Sequence, residues 1–305
     1  MVLRGKLRHG GARVATCAVA PSGEIVLSGN DGVVSVWSPS SLELLAELDK
    51  GVGGYCNELL VTRSGHVVAA LGSEARVFSL ASRERIGKYS GHSGMINCAV
   101  ELPTAGLVAT GADDKEVHVW RVQECKAVHK LSLDYAFIMA LAVVDTLLVA
   151  GDYAGKLRYW HVAEDFRPGP SWSSGKCIYG MSGLPRRRIA TGHEDNSVRV
   201  WDLTTSPPVR LAMLRGHTGY VFGLLPLPDG ALCTASNDFT IRVWDVDAGS
   251  SEVVATAPDQ LWRLATTAGG DVVATCEDGH AYVYRVDGWL RRRAAVFAWV
   301  VEWAE

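Results

Sequence analysis

No stretch of this chain stays apolar for the roughly 20 residues that a membrane-spanning helix requires. The opening MVLRGKLRHG also lacks the apolar core of a secretory leader, so the cytosol or the nucleus is the expected compartment and no membrane is an expected partner. The seven cysteines (17, 56, 98, 125, 177, 233 and 276) stand singly, several inside apolar runs, with no C-x-x-C pair; they read as buried free thiols kept reduced. The nine histidines show no H-x-x-x-H or H-E-x-x-H spacing, so no metal site is indicated. Nor is there a G-x-x-x-x-G-K-[ST] loop, a G-x-S-x-G elbow or a G-x-G-x-x-G after a strand, which removes the usual mechanics of nucleotide binding and serine hydrolysis. No catalytic residue, cofactor or small-molecule substrate is expected. A net charge of -3 gives no overall attraction to nucleic acid or to an anionic surface. Two local exceptions, Arg186-Arg187-Arg188 and Arg291-Arg292-Arg293, carry an RNA-binding alternative; the plainer reading of the first is a solvated loop.

What the chain does have is apolar material, 48% of 305 residues, arranged in short β-prone runs that can share one core. The stretch from Gly216 to Val246 shows how they are organised. Val221 to Leu227 and Ala231 to Ala235 are apolar runs separated by Pro228-Asp229-Gly230, a turn whose glycine accepts positive φ, and so predict a hairpin. Asn237-Asp238-Phe239-Thr240 predicts a second reversal into Ile241-Arg242-Val243-Trp244, with alternate residues facing opposite sides. Sliding this template along the chain finds an aromatic anchor seven times, at Trp37, Phe78, Trp120, Trp160, Trp201, Trp244 and Tyr284, at spacings of 41, 42, 40, 41, 43 and 40.

Gly216-His217 at the start of the unit, Asp238 in its second turn and Trp244-Asp245 at its end resemble a WD repeat, whose period is about 40–45 residues. The resemblance implies an all-β, seven-bladed β-propeller with four antiparallel strands per blade, spanning residues 1–305 as one domain. It also implies a buried hydrogen-bonded tetrad of His217, Thr234 (or Ser236), Asp238 and Trp244. Blade three offers the equivalent His92, Thr110, Asp114 and Trp120. Blade one has the GH pair inverted (His9-Gly10) with Asp31 and Trp37. Blade two has Gly72-Ser73-Glu74 for its turn and is expected to be the least rigid. Blade four has Ala154 at the turn position; blade five has Thr191, Asp195 and Trp201 without a GH pair; blade seven has Asp278 and Tyr284 alone. Complete tetrads are therefore expected only in blades three and six. Two segments compete to close the ring: residues 1–8, which the family habit favours as the last strand of blade seven, and the tail 289–305.

In this family partners bind the face carrying the Asp turns. Alignment to Tyr220 and Phe222 places Phe137, Met139, Tyr179, Tyr220, Phe222 and Trp262 there as a crescent on blades four to seven, with Asp113, Glu194 and Glu277 beside it. Such a surface suits a protein or peptide with apolar anchors and nearby basic groups; the same positions are also compatible with packing into strand ends and the central channel. GLVATGADDKEVHVW (from Gly106), GHTGYVF (from Gly216) and APDQLWRLATTAGGDVVATCEDG (from Ala257) further resemble the propeller of the phospholipase-activating-protein family, whose members bind ubiquitin through that domain. Blades four and five depart from that pattern in lacking GH pairs. The expected role is a non-catalytic scaffold or adaptor, with ubiquitin as the partner this second resemblance implies.

Overall fold

The computed structural model describes residues 1–10, 13–50, 54–132 and 136–286. Short Val-, Ile-, Leu- and Ala-rich runs, cut every five to seven residues by turn chemistry, become 28 strands, β1 to β28 in chain order, and the only helical element among the described residues is a 3-10 turn, Val162–Glu164. The strands form seven four-stranded antiparallel sheets: β2–β5 (residues 14–50), β6–β9 (56–89), β10–β13 (96–132), β14–β17 (138–173), β18–β21 (178–214), β22–β25 (221–256) and β26–β28 (261–285) joined by β1 (Val2–Arg8). The innermost strand of each sheet packs on that of the next, and β2 (Val14–Val19) packs on both β6 (Cys56–Val61) and β26 (Leu261–Thr266), so the ring is closed. β1 pairs antiparallel with β28 (His280–Arg285) as the outermost strand of blade seven. The tail 289–305 lies outside the described residues.

All seven anchors are buried, each between two sheets. In the Gly216–Val246 unit, Ile241 and Val243 pack toward blade seven with Cys233, Ala274 and Tyr284, whereas Trp244 packs toward blade five with Val198, Val200 and Leu214. The alternation read in the sequence therefore serves two interfaces, as a sheet buried on both faces requires. Gly230, at φ 85°, closes the hairpin as its sequence implies.

The networks inside the blades differ from expectation at one point. Blade six has the chain Trp244 Nε1–H to Thr234 Oγ1 (2.8 Å), Thr234 to His217 Nε2 (2.7 Å) and His217 Nδ1 to Asp238 (2.8 Å); Ser236 instead accepts the Asp238 amide. Blade three repeats it through Trp120, Thr110, His92 and Asp114. The expectation that only these two blades hold a complete tetrad is wrong, because blade one has one as well. Trp37 Nε1–H donates to Ser35 Oγ (2.8 Å), which meets His9 Nδ1 (2.8 Å), and His9 Nε2 meets Asp31 (3.2 Å). The position equivalent to Thr234, ten residues before the anchor, is Leu27, and Ser35 is its partner directly across the ladder, so the hydroxyl has moved one strand outward without leaving the site. Ser35→Ala strands both an indole N–H and an imidazole nitrogen and is expected to cost about 1–3 kcal/mol. An unchanged denaturant midpoint would show that this bridge contributes nothing.

Blade five rebuilds half a tetrad. Trp201 Nε1–H donates to Thr191 (3.0 Å), and Thr191 meets His193 Nε2 (2.7 Å), a histidine from the same strand rather than from the blade entry. His193 Nδ1 meets the Cys177 carbonyl (3.1 Å), and Asp195 turns to Arg199 (2.5 Å). Burial, with the Arg199 charge beside it, pushes the His193 imidazole down to about 4. The unfolded chain therefore binds a proton that the folded ring refuses, so stability falls as pH drops from about 6.5 toward 4. His193→Gln is expected to flatten the melting temperature across that window; an identical pH profile would contradict the assignment.

In blade four the carboxylate sits two residues earlier than the turn position: Asp152 is fully buried and accepts the Lys156 amide (2.8 Å). Burial raises its carboxyl above the ordinary value against the pull of the turn amides. Ala154→Asp would set a second carboxylate beside it with no histidine to meet it, and is expected not to raise the melting temperature in a thermal scan. Blade seven links Tyr282 to Asp278 (2.6 Å) without a hydroxyl under Tyr284.

Candidate partner-binding face

In every blade the pairing of the innermost strand with its neighbour slips by one residue near the start: at 14/16, 56/58, 96/98, 138/140, 178/180, 221/223 and 261/264. Each slip is a β-bulge, which leaves a residue out of the ladder, or in blade seven both Trp262 and Arg263, and re-aims its side chain. The extruded positions are Ala15, Asn57, Asn97, Met139, Tyr179, Phe222 and Trp262. All seven line one cavity of about 160 Å³ at the end of the central channel that faces the Asp turns, together with Arg13, Tyr55 and Arg263. A periodic backbone defect thus builds a ring of side chains, and the sequence decides what that ring presents.

What it presents is uneven. Phe222 is the hub of a run of aromatic rings, 4.5 Å from Trp262, 4.9 Å from Tyr179 and 6.4 Å from Tyr220, and Tyr179 and Tyr220 stack at 5.5 Å. Tyr220 is exposed, whereas Tyr179, Phe222 and Trp262 are half-buried. Phe137, also exposed, stands apart from this run beside Tyr153 (6.5 Å), and Met139 faces the channel. The expected crescent is therefore a four-ring cluster on blades five to seven plus a separate pair on blade four. Tyr153 was missed. It occupies the position just before the turn in blade four, the position of Asp113, Glu194 and Glu277 elsewhere, and the alanine at 154 hid that turn.

The three acidic residues are already engaged within the chain. Asp113 accepts from Asn97 Nδ2 (2.7 Å), Glu194 accepts from the Cys177 amide (3.4 Å), and Glu277 accepts from the Trp262 indole (2.9 Å) and lies 3.6 Å from Arg13 Nε. Deeper in the channel, Glu58 and Arg263 form an ion pair (3.3 Å) between blades two and seven, with Thr16 donating to Glu58. Burial raises the Glu58 carboxyl despite that guanidinium. No local sequence signal marks this pair, whose partners lie at opposite ends of the chain.

The four blades that contain a Trp–hydroxyl–His relay, one, three, five and six, are also the ones that match a family model. The model of the WD domain, G-beta repeat, matches residues 2–38, 83–121, 171–202 and 208–245. The chain is a WD-repeat propeller. Blades two, four and seven, which keep the architecture without that relay, lend the matches only residues of their outermost strands (85–89, 171–173 and 2–8), and their three inner strands fall outside.

The WD-repeat propeller is 25% identical to CCR4-associated factor 4 of Saccharomyces cerevisiae over 47% of this chain and 29% of that protein. It is 27% identical to the angio-associated migratory cell protein of Homo sapiens over 64% and 45% of the two chains. For the small ribosomal subunit protein RACK1y of Oryza sativa the figures are 27%, 38% and 36%. It thus covers less than half the length of each. Among solved structures it superposes on the WD40 β-propeller domain of Doa1 with a TM-score of 0.83, covering 94% of this chain and 97% of that one at 18% identity. At that identity the likeness speaks for the fold alone.

Two further features of the WD-repeat propeller bear on function. Arg186 and Arg188 sit at the opposite end of blade five from the Asp turns, and both face Asp247 (3.9 and 2.6 Å); Arg291 to Arg293 lie outside the described residues. His92, Asp114 and His118 lie close enough to share an ion, yet the two imidazoles stack at 3.7 Å. Each of their four nitrogens already has a protein partner: Asp114 and Thr110 for His92, Tyr89 and Glu116 for His118. Burial, then the neighbouring His118, lowers the His92 pKa and keeps it neutral, as the relay requires. No helix among the described residues is long and apolar enough to cross a membrane.

Proposed function

We propose that this chain is a non-catalytic interaction platform that holds a partner protein or peptide over the channel mouth facing the Asp turns, in the cytosol or nucleus, where its buried thiols stay reduced. The supporting observation is the ring of seven bulged residues, whose side chains on blades five to seven form one connected aromatic cluster around Phe222. Clustered aromatics at a partly exposed mouth are the usual carriers of binding energy, and their inward-tied carboxylates leave an apolar rather than a strongly acidic anchor.

The partner read from the second resemblance is ubiquitin, whose apolar patch bordered by basic residues would lie on Tyr220, Phe222 and Trp262 with Glu277 and Glu194 near its rim. Titration of labelled ubiquitin tests this. Weak, saturable shifts that Trp262→Ala abolishes without unfolding the ring are expected; no shift at high micromolar propeller removes ubiquitin and leaves the platform reading. RNA binding through Arg186 and Arg188 is the reading of another class, and their shared partner Asp247 speaks against it. No appreciable RNA binding at physiological ionic strength is expected; a tight affinity that falls steeply with added salt would contradict this.

A further inference from the structure

The Arg13 guanidinium lies between two aromatic rings, 4.8 Å from the centroid of Tyr55 and 4.1 Å from that of Trp262. The carboxylate of Glu277, bonded to the same Trp262 indole, stands 3.6 Å from Arg13 Nε. Three consecutive blades contribute, since Arg13 enters blade one, Tyr55 enters blade two and Trp262 and Glu277 belong to blade seven. Two ring faces and one carboxylate around a planar cation have the composition of a guanidinium-binding slot.

We propose that this slot is a recognition site for an arginine side chain of the partner, and that Arg13 is its internal occupant, to be displaced on binding. The proposal rests on the interaction reading above and names one chemical feature of the partner. Three observations favour exchange over a fixed structural contact. Arg13 Nε is buried without a hydrogen-bond partner, and 3.6 Å from Glu277 is beyond hydrogen-bonding distance, so the internal occupant leaves its site incompletely satisfied. The charge at the mouth balances in pairs, Arg13 with Glu277 and Arg263 with Glu58. Withdrawal of Arg13 leaves the Glu277 carboxylate beside the Trp262 indole without its counter-charge, which an incoming guanidinium supplies and an apolar side chain does not. The slot also opens into the ring of bulged residues, so a partner resting on Phe222 and Trp262 has its neighbouring side chains within reach of it. A guanidinium fits better than an ammonium because only the planar group can stack on both rings.

The test uses the full chain and N-acetyl-arginine amide as the probe, reading the Trp262 indole N–H resonance, assigned by its loss in Trp262→Phe. Arg13→Ala is expected to bind the probe saturably and at least about fivefold more tightly than the wild type, with N-acetyl-lysine amide weaker and Tyr55→Leu in the same background abolishing the response. Arg13→Gln, which keeps a planar polar group in place, is the second variant and is expected to show a gain of the same sign. A folded Arg13→Ala or Arg13→Gln ring whose Trp262 resonance ignores the probe overturns the slot. Partner binding lost in Phe222→Ala with no arginine response keeps the platform and removes the slot; an arginine response without any partner on this face supports the slot and removes the platform.

Discussion

Replacing Asp238 by alanine is expected to cost about 3 kcal/mol and to lower the melting temperature by about 5 °C or more. This carboxylate accepts from His217 Nδ1 (2.8 Å), the Thr218 amide (2.9 Å), the Thr240 amide (2.9 Å) and the Thr240 hydroxyl (2.6 Å). Its removal strands these donors and breaks the relay that ends on Trp244 Nε1. Asp114→Ala in blade three should behave alike, since His92 and the Ser93 and Glu116 amides converge there in the same way. Asp31→Ala in blade one should cost less, about 1 kcal/mol, because its bond to His9 is longer (3.2 Å) and its side chain is 25% exposed. The effect also has a pH signature. Burial pushes the Asp238 carboxyl up, but the bonds from His217 and Thr240 outweigh it and hold the group well below the ordinary carboxylate range. A depressed folded-state pKa stabilises above the unfolded value, near pH 4, and that contribution is lost as pH falls below it. The difference between wild type and Asp238→Ala should thus be full at neutral pH and shrink in acid. Equal melting temperatures at neutral pH would contradict the tetrad's contribution.

Phe222→Ala is expected to weaken partner binding by about 2 kcal/mol, roughly 30-fold, while leaving the melting temperature nearly unchanged. Phe222 contacts Tyr179, Tyr220 and Trp262 at once, so its loss empties the middle of the cluster. It is a cleaner probe than Trp262, which also carries the Arg13 contact and the bond to Glu277 and whose truncation disturbs all three. Phe137→Ala removes an exposed ring outside the cluster and should cost under about 1 kcal/mol. Parallel isothermal titrations of the three proteins with the same partner distinguish these; equal losses for Phe137→Ala and Phe222→Ala would move the binding centre to blade four.

The number and order of the blades were legible because each sheet needs one large side chain at a fixed place, and Trp37 to Tyr284 keep that place at steps of 40–43 residues. The relays of blades three and six were legible because all four members stand at motif positions. The relay of blade one was not, since Ser35 supplies its hydroxyl from the facing strand, a relation created by register rather than by spacing along the chain. The bulges were hidden for a similar reason: one extra residue in an apolar strand leaves the composition unchanged and only re-aims a side chain. Alignment to Phe222 nevertheless found the bulged Met139, Tyr179 and Trp262, because every blade carries the slip at the same point. Arg13 between Tyr55 and Trp262, and Glu58 with Arg263, depend on closure of the ring, which brings distant parts of the chain together and which no local pattern announces.

The central claim, that partners sit on the channel mouth ringed by the bulged residues, is tested most directly by photo-crosslinking with p-benzoylphenylalanine placed at one exposed site on each face. Tyr220 is the site on the proposed face, and Arg186, whose side chain is 79% exposed, is the site at the other end of the ring. A partner joined covalently from position 220, absent from position 186 and lost when Phe222→Ala is added, is the predicted result. A partner joined from position 186, or joined from position 220 regardless of Phe222, would contradict it.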